Sequence, residues 1–155
     1  AKAFPERQVI AMCGDGGLSM LMGDLLTLVQ EQIPVKLVVF NNSSLGFVEI
    51  EQKVEGLLDS FTELKNPDFG RLAEAIGLWG RKIEKKHDLE DGVRDLLAHN
   101  GPGILDVKVN RMELVMPPTV EPGQVASTAL YSTKAIFSGR MDEVVDLVRN
   151  NFGRR

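Results

Sequence analysis

Two short apolar runs, each closing on polar residues able to hold a cation, constrain this chain more than any other feature. Gln8–Cys13 reads as a strand and is closed by Gly14-Asp15-Gly16-Gly17, while Val35–Phe40 reads as a second and is closed by Asn41-Asn42. Runs this short and this apolar suit strands covered on both faces of a parallel sheet. Between them, Met20–Gln32 sets Leu21, Leu25, Leu28 and Val29 at helical spacing, and Pro34 then punctuates the chain. Asn42 follows Asp15 by 27 residues, room for a turn, a helix, a turn and a strand. A strand-helix-strand unit of this kind brings both strand ends to one side of the sheet, where ligands of open α/β sheets bind.

The alternation continues. Gly46 to about Lys53 opens a helix, and Glu55–Pro67 mixes polar residues with Gly and Pro as a surface loop does. Asp68 is placed to cap a helix running to Ile76, where Gly77 ends it. Leu78–Glu84 and Gly103–Val109 read as further strands, and Asp88–His99 as a helix with Leu89, Val93, Leu96 and Leu97 inward. The pattern predicts an α/β fold, doubly wound, with a mostly parallel sheet and helices on both faces. After Met116, the prolines at 117, 118 and 122 predict an extended connector, followed by one or two helices broken near Gly139. The expected division is an α/β domain over 1–116, a connector over 117–128 and a helical tail over 129–155.

Composition narrows the function. A net charge of −4 without a basic stripe argues against nucleic acid. No apolar run approaches the ~18 residues that cross a bilayer, and no signal-peptide pattern opens the chain. Cys13 is the single cysteine, so an internal disulfide is impossible and a cysteine-based zinc site is not expected. A cytoplasmic location is the default expectation. The chain opens without Met and enters a strand at once, so it is expected to be a piece of a longer polypeptide.

Asp15 and Asn42 supply a carboxylate and an amide oxygen at neighbouring strand ends. Mg²⁺ takes one or two protein carboxylates and completes its octahedron with phosphate, carbonyl and water oxygens. Gly16 and Gly17 let backbone N–H groups approach a phosphate closely, and a helix beginning near Ser19 would add its positive end. Alone, Gly-Asp-Gly-Gly reads equally well as a tight turn; Asn41-Asn42 after the next strand turns it into a candidate site. There is no Gly-Lys-Ser/Thr P-loop, no Gly-x-Gly-x-x-Gly fingerprint and no EF-hand loop.

Gly14-Asp15-Gly16, this gap, and Asn41-Asn42 resemble the thiamine-diphosphate signature of the pyruvate oxidase and acetolactate synthase superfamily. The resemblance implies a thiamine-diphosphate-binding fold with Mg²⁺ held by Asp15, Asn42 and the backbone carbonyl of Ser44. It implies a cofactor site of Gly14, Asp15, Gly16, Gly17, Asn42, Ser44, Leu45 and Gly46. The segment Leu45-Gly46-Phe47-Val48-Glu49-Ile50-Glu51 is similar to that of pyruvate oxidases and quinone-linked pyruvate dehydrogenases. There Phe47 would lie between thiamine and flavin, Val48 over the reactive carbon, and Glu51 toward substrate. Taken as residues alone, Phe47 reads equally as a core aromatic and Glu51 as a solvated helix face. Acetolactate synthases usually carry Gly-Met and Gln-Trp-Gln here, and this chain has neither.

The resemblance continues through Met116-Pro117-Pro118 to Leu130-Tyr131 and Ser138-Gly139-Arg140. It implies that the parent protein oxidatively decarboxylates pyruvate to acetate, passing electrons to FAD and then to quinone. It further implies a homo-oligomer, dimer or tetramer, with active sites at subunit interfaces. In that family a separate N-terminal domain of a neighbouring subunit supplies the activating glutamate and a middle domain holds most of the flavin. The chain by itself is therefore expected to carry half a cofactor site and no activity. Two rivals remain: acetolactate synthase or another 2-oxo-acid carboligase, and a non-catalytic cofactor-binding or assembly module.

Residues 129–155 hold five basic and three acidic side chains. Val144, Val145, Val148 and Phe152 form an apolar face with Leu147 at its edge. A basic amphipathic helix of this kind suits an anionic membrane surface, or equally the surface of its own protein. The resemblance implies the former, a peripheral contact at the inner face of the cell membrane. His87 and His99 read as surface or capping residues, Cys13 as a buried inert thiol, and Trp79 as core or interface.

Overall fold

The computed structural model describes residues 1–111 and 122–152. Its contacts divide the chain into two compact units, Ala1–Ser43 with Lys65–Val109, and Ser44–Leu64 with the described part of Asn110–Arg155.

The first unit is built on a sheet of β1 (Val9–Gly14), β2 (Val35–Asn41), β3 (Trp79–Ile83) and β4 (Gly103–Lys108) in the order β1-β2-β4-β3. Every pairing is parallel, with Gly14 level with Phe40 and Asn41 level with Lys108. The four runs expected as strands all form, each within a residue or so of the expected ends. Alternating side chains send Leu37, Val39 and Ile104 to one face, where they pack with Leu18, Leu25, Phe69 and Ala73. Those partners belong to α1 (Asp15–Met20), α2 (Leu25–Gln30) and α4 (Phe69–Ala75). Leu105 and Val107 point the other way, to Ile83 and to Leu96 of α5 (Leu89–Ala98). Helices therefore cover both faces, as doubly wound α/β topology requires. On the second face, the Ile10, Met12 and Phe40 side chains at the β1 edge remain exposed, Met12 at 70%.

Glycine sets the closest helix-sheet approach. A Cβ at Gly80 of β3 would lie 2.0 Å from the Gly70 carbonyl oxygen of α4, so only hydrogen fits. Asp68 accepts from the Arg71 amide at 2.9 Å as the N-cap of α4, and Gly77 at φ +91 ends the helix, as expected.

Met20–Gln32 departs from the expected single helix. The first helix starts at Asp15 rather than near Ser19, stops at Met20, and passes through a 3₁₀ turn, Met22–Asp24, before α2. Gly23 and Asp24 in the middle of the run lower its helix propensity. The Cys13 thiol lines an apolar cavity of about 280 Å³ beneath these short helices with Ala11, Leu18 and Leu25. Burial pushes its pKa up, in keeping with an inert thiol.

The second unit is helical: α3 (Gly46–Val54), α6 (Pro122–Phe137) and α7 (Met141–Phe152). Ile50, Tyr131, Ala135 and Leu147 form its core, flanked by Val54, Leu58 and Val144. The break near Gly139 is real, with φ +76 there. The boundaries differ from the expected ones, because Ser44–Leu64 groups with the C-terminal helices rather than with the sheet. Of the expected extended connector, 117–121 lies outside the described residues, and the chain is helical from Pro122 onward. Proline is suited to the first helical position, where its missing N–H costs nothing, so Pro122 opens a helix. In α7, Leu147 is buried rather than at the edge, while Val145 and Val148 are exposed. No helix among the described residues is long and apolar enough to cross a membrane.

Candidate functional site

The carboxyl ends of β1 and β2 bring a polar cluster together. Asp15 follows β1 directly as the first residue of α1 and is buried. Its Oδ2 accepts the Ser43 backbone N–H at 2.8 Å and the Asn66 carboxamide N–H at 2.6 Å. Both of these donors are neutral. Asn66 also donates to Asn41 Oδ1 at 3.1 Å, and Asn41 Nδ2 donates to Asp106 Oδ1 at 3.0 Å. Asp106, fully buried in β4, accepts the Phe69 backbone N–H through Oδ2 at 3.2 Å. Burial pushes the Asp106 carboxyl up from its ordinary range, against the opposing pull of Asn41 and Phe69.

A line of hydrogen bonds thus runs from the sheet interior to Asp15. Ser43 makes its turn at φ +59, aiming its N–H at the carboxylate, and Lys108 Nζ donates to the Ser43 hydroxyl at 2.6 Å. Gly14 and Gly17 face open space, with no atom within 4 Å of an added Cβ. Gly16 and Gly17 lie in the first turn of α1, whose N–H groups lack intrahelical partners, so the donors sit nearer Asp15 than a helix from Ser19 would put them. Asn42 is half-buried immediately after β2. Asn66 links Asp15 to Asn41, donating to both.

The second unit holds the remaining expected residues. Ser44 is buried, bridges Glu63 and donates through its hydroxyl to Glu49. Leu45 donates its N–H to Thr62 at 2.8 Å and precedes α3, which Gly46 opens. Phe47, at 75% exposed, is no core aromatic, and Val48 and Glu51 are also exposed. The inward side of α3 carries Glu49, Ile50 and Lys53. Glu49 accepts from Lys53 and Ser44, and from Arg111 Nε at 3.3 Å. Burial alone would push the Glu49 carboxyl up, yet Lys53, Ser44 and Arg111 together hold it below its ordinary range. Arg140 pairs with Asp59 at 2.6 Å and Glu143 at 2.7 Å. Beside them the buried Tyr131 hydroxyl has its pKa pushed up to about 12 by burial, Glu143 and Asp59.

Sequence reasoning missed Asn66, Asp106, Glu49 and Lys53. The lone Asp in the apolar run Gly103–Val109 was a usable signal, since a carboxylate inside a buried strand needs a partner. Glu49 and Lys53 stand four apart, a pairing that reads as an exposed helix face.

Residues 1–107 match the family described as thiamine pyrophosphate enzyme, C-terminal TPP binding domain. The chain belongs to this family. It is 37% identical over 146 residues to YdaP of Bacillus subtilis (strain 168), named for thiamine pyrophosphate, covering 94% of this chain and 25% of that one. It is 35% identical to the acetolactate synthase catalytic subunit, mitochondrial, of Saccharomyces cerevisiae over 74% of this chain and 17% of the other. It is also 35% identical to the pyruvate oxidase of Lactiplantibacillus plantarum over 68% of this chain and 18% of the other. The chain therefore spans a quarter or less of these relatives. Among solved structures, the thiamine diphosphate-dependent 4-hydroxybenzoylformate decarboxylase of Rhodococcus jostii RHA1 matches with TM-score 0.66 and 28% identity. That match covers 70% of this chain and 21% of the other. The chain is a TPP-binding domain of parallel α/β fold, of a kind found in thiamine pyrophosphate enzymes.

Proposed function

We propose that this domain binds the diphosphate of thiamine diphosphate through Mg²⁺, with Asp15, Asn42 and the backbone carbonyl of Ser44 as protein ligands. The observation that carries this is Asp15: a buried carboxylate whose hydrogen-bond donors among the described residues are neutral and do not cancel a carboxylate's charge. One carboxylate with amide and carbonyl oxygens is a donor set that suits Mg²⁺. The first-turn N–H groups of Gly16 and Gly17 and the open space before Gly14 and Gly17 suit an approaching phosphate. When bound, thiamine diphosphate supplies the electron sink for decarboxylating a 2-oxo acid, while the protein fixes position and electrostatics.

For the parent protein we infer oxidation of pyruvate to acetate with FAD and a quinone acceptor, in a homo-oligomer whose active sites lie between subunits. Gly46-Phe47, with Val48 and Glu51 exposed on the same helix, supports this over a carboligase. Exposed Val145 and Val148 on α7 are in keeping with a peripheral membrane contact through 129–155. Acetolactate synthase remains the second reading, favoured by the several relatives of that name at 32–36% identity.

Calorimetric titration of thiamine diphosphate, with and without Mg²⁺, tests the site. Binding that requires Mg²⁺ and disappears in Asp15→Ala is expected; unchanged affinity in the variant would instead indicate a non-catalytic module. Supplying the full-length protein with pyruvate separates the two enzymes, acetate supporting the oxidase and acetolactate the synthase.

A further inference from the structure

We propose that Asn66 sets which cation the site accepts, by holding one oxygen of Asp15 so that only the other is offered. The proposal rests on the cation site put forward above. Among the described residues both donors to the Asp15 carboxylate fall on Oδ2, Ser43 N–H at 2.8 Å and Asn66 Nδ2 at 2.6 Å. An oxygen engaged by two N–H groups has its lone-pair directions occupied, and the carboxylate presents Oδ1 alone.

Asn66 is itself held in place. Its Nδ2 donates to Asn41 Oδ1 as well, and Asn41 is anchored on the buried Asp106. Turned over, the carboxamide would set its own oxygen against two others, so the donor orientation is the stable one. Pro67 follows, which restricts the Asn66 backbone to extended conformations and fixes where the side chain starts.

The consequence is a choice between ions. Mg²⁺ demands near-ideal octahedral geometry at about 2.0–2.1 Å, and a carboxylate limited to one oxygen suits it. Ca²⁺ takes about 6–8 oxygens at longer distances and often uses both oxygens of a carboxylate. With Oδ2 held, Asp15 is denied that bidentate grip. Asn66 is therefore a positioning residue that acts through Asp15 and favours the smaller ion.

The test is competition of Mg²⁺ and Ca²⁺ against Mn²⁺, followed by water-proton relaxation, on the 155-residue chain with saturating thiamine diphosphate. The wild type, Asn66→Ala, Asn66→Asp and Asp15→Ala are compared, with circular dichroism and melting checked for each. Asn66→Ala is expected to weaken Mg²⁺ about tenfold, the usual cost of losing a group that orients a metal ligand, and to leave Ca²⁺ unchanged or tighter. Asn66→Asp keeps the side-chain size, removes the donor and should shift the Ca²⁺/Mg²⁺ ratio the same way. A purely structural Asn66 would weaken both ions alike. An unchanged ratio in both variants, with wild-type binding intact, overturns the proposal and leaves the cation site standing. Failure of the wild type to bind any cation, or equal binding by Asp15→Ala, overturns the site and this proposal with it.

Discussion

The two units bury carboxylates by opposite means. In the helical unit, Glu49 lies against Lys53 and Arg111, and Asp59 and Glu143 against Arg140, so charge is answered by charge. In the sheet unit, Asp106 and Asp15 are met by carboxamides and backbone N–H groups. Hydrogen bonds from neutral donors orient a carboxylate without cancelling its charge, whereas an ammonium does both. Asp106 spends both oxygens on such donors inside the sheet, whereas both described donors to Asp15 fall on one oxygen at the strand ends.

The largest test of that contrast is Lys53→Met. Lys53 and Glu49 are both buried, and removing one member of such a pair leaves a charge without its main partner. Urea unfolding should show a loss of about 3–5 kcal/mol, with most of it recovered when Glu49→Leu is added. A loss no greater than that of an exposed pair would erase the distinction between the units.

Acidity should divide them next. The Glu49 pKa is lowered, so its contribution to stability is present above the ordinary glutamate range and disappears as pH falls through the folded value. The Asp106 pKa is raised, so its contribution is complete below the ordinary aspartate range and disappears as pH rises through the folded value. Unfolding free energies measured from acid to neutral pH should lose their acid-side slope in Glu49→Gln. Asp106→Asn should instead flatten the decline above the ordinary aspartate range. Parallel curves for the two variants would refute the assignment.

Phe47→Ala should have the smallest effect on stability. The side chain is three-quarters exposed, and truncation should change the unfolding free energy by no more than about 0.5 kcal/mol. If the proposed pyruvate oxidation holds and the ring meets the cofactor, the full-length protein carrying the change should nonetheless lose that turnover. A stability loss of core size would return Phe47 to a packing role.

Much of the sheet unit was legible because its strands advertise themselves. Gln8–Cys13, Val35–Phe40 and Gly103–Val109 are mostly apolar, broken only by Gln8, Lys36, Asp106 and Lys108, and Asp68 and Gly77 mark both ends of a helix. Asp15 was legible for the same reason, since it follows a strand directly. Asn66 was not, because it lies in a loop 51 residues further along, and no periodicity reports a contact made across that distance. The break after Met20 was lost to a helical spacing of leucines that outweighed Gly23. The grouping of Ser44–Leu64 with the C-terminal helices was equally hidden, because an amphipathic pattern says that a face is covered and not by which neighbour.

One hydrogen bond also bears on how the protein ages. Asparagine side chains deamidate when the backbone nitrogen of the following residue attacks the side-chain carbonyl carbon and expels ammonia. For Asn42 that nitrogen belongs to Ser43, and its hydrogen is held by Asp15 Oδ2 at 2.8 Å. The carboxylate therefore keeps the nearest nucleophile occupied and its geometry fixed. Loss of Asp15 would remove a candidate ligand and, during storage, start the conversion of the neighbouring asparagine to aspartate.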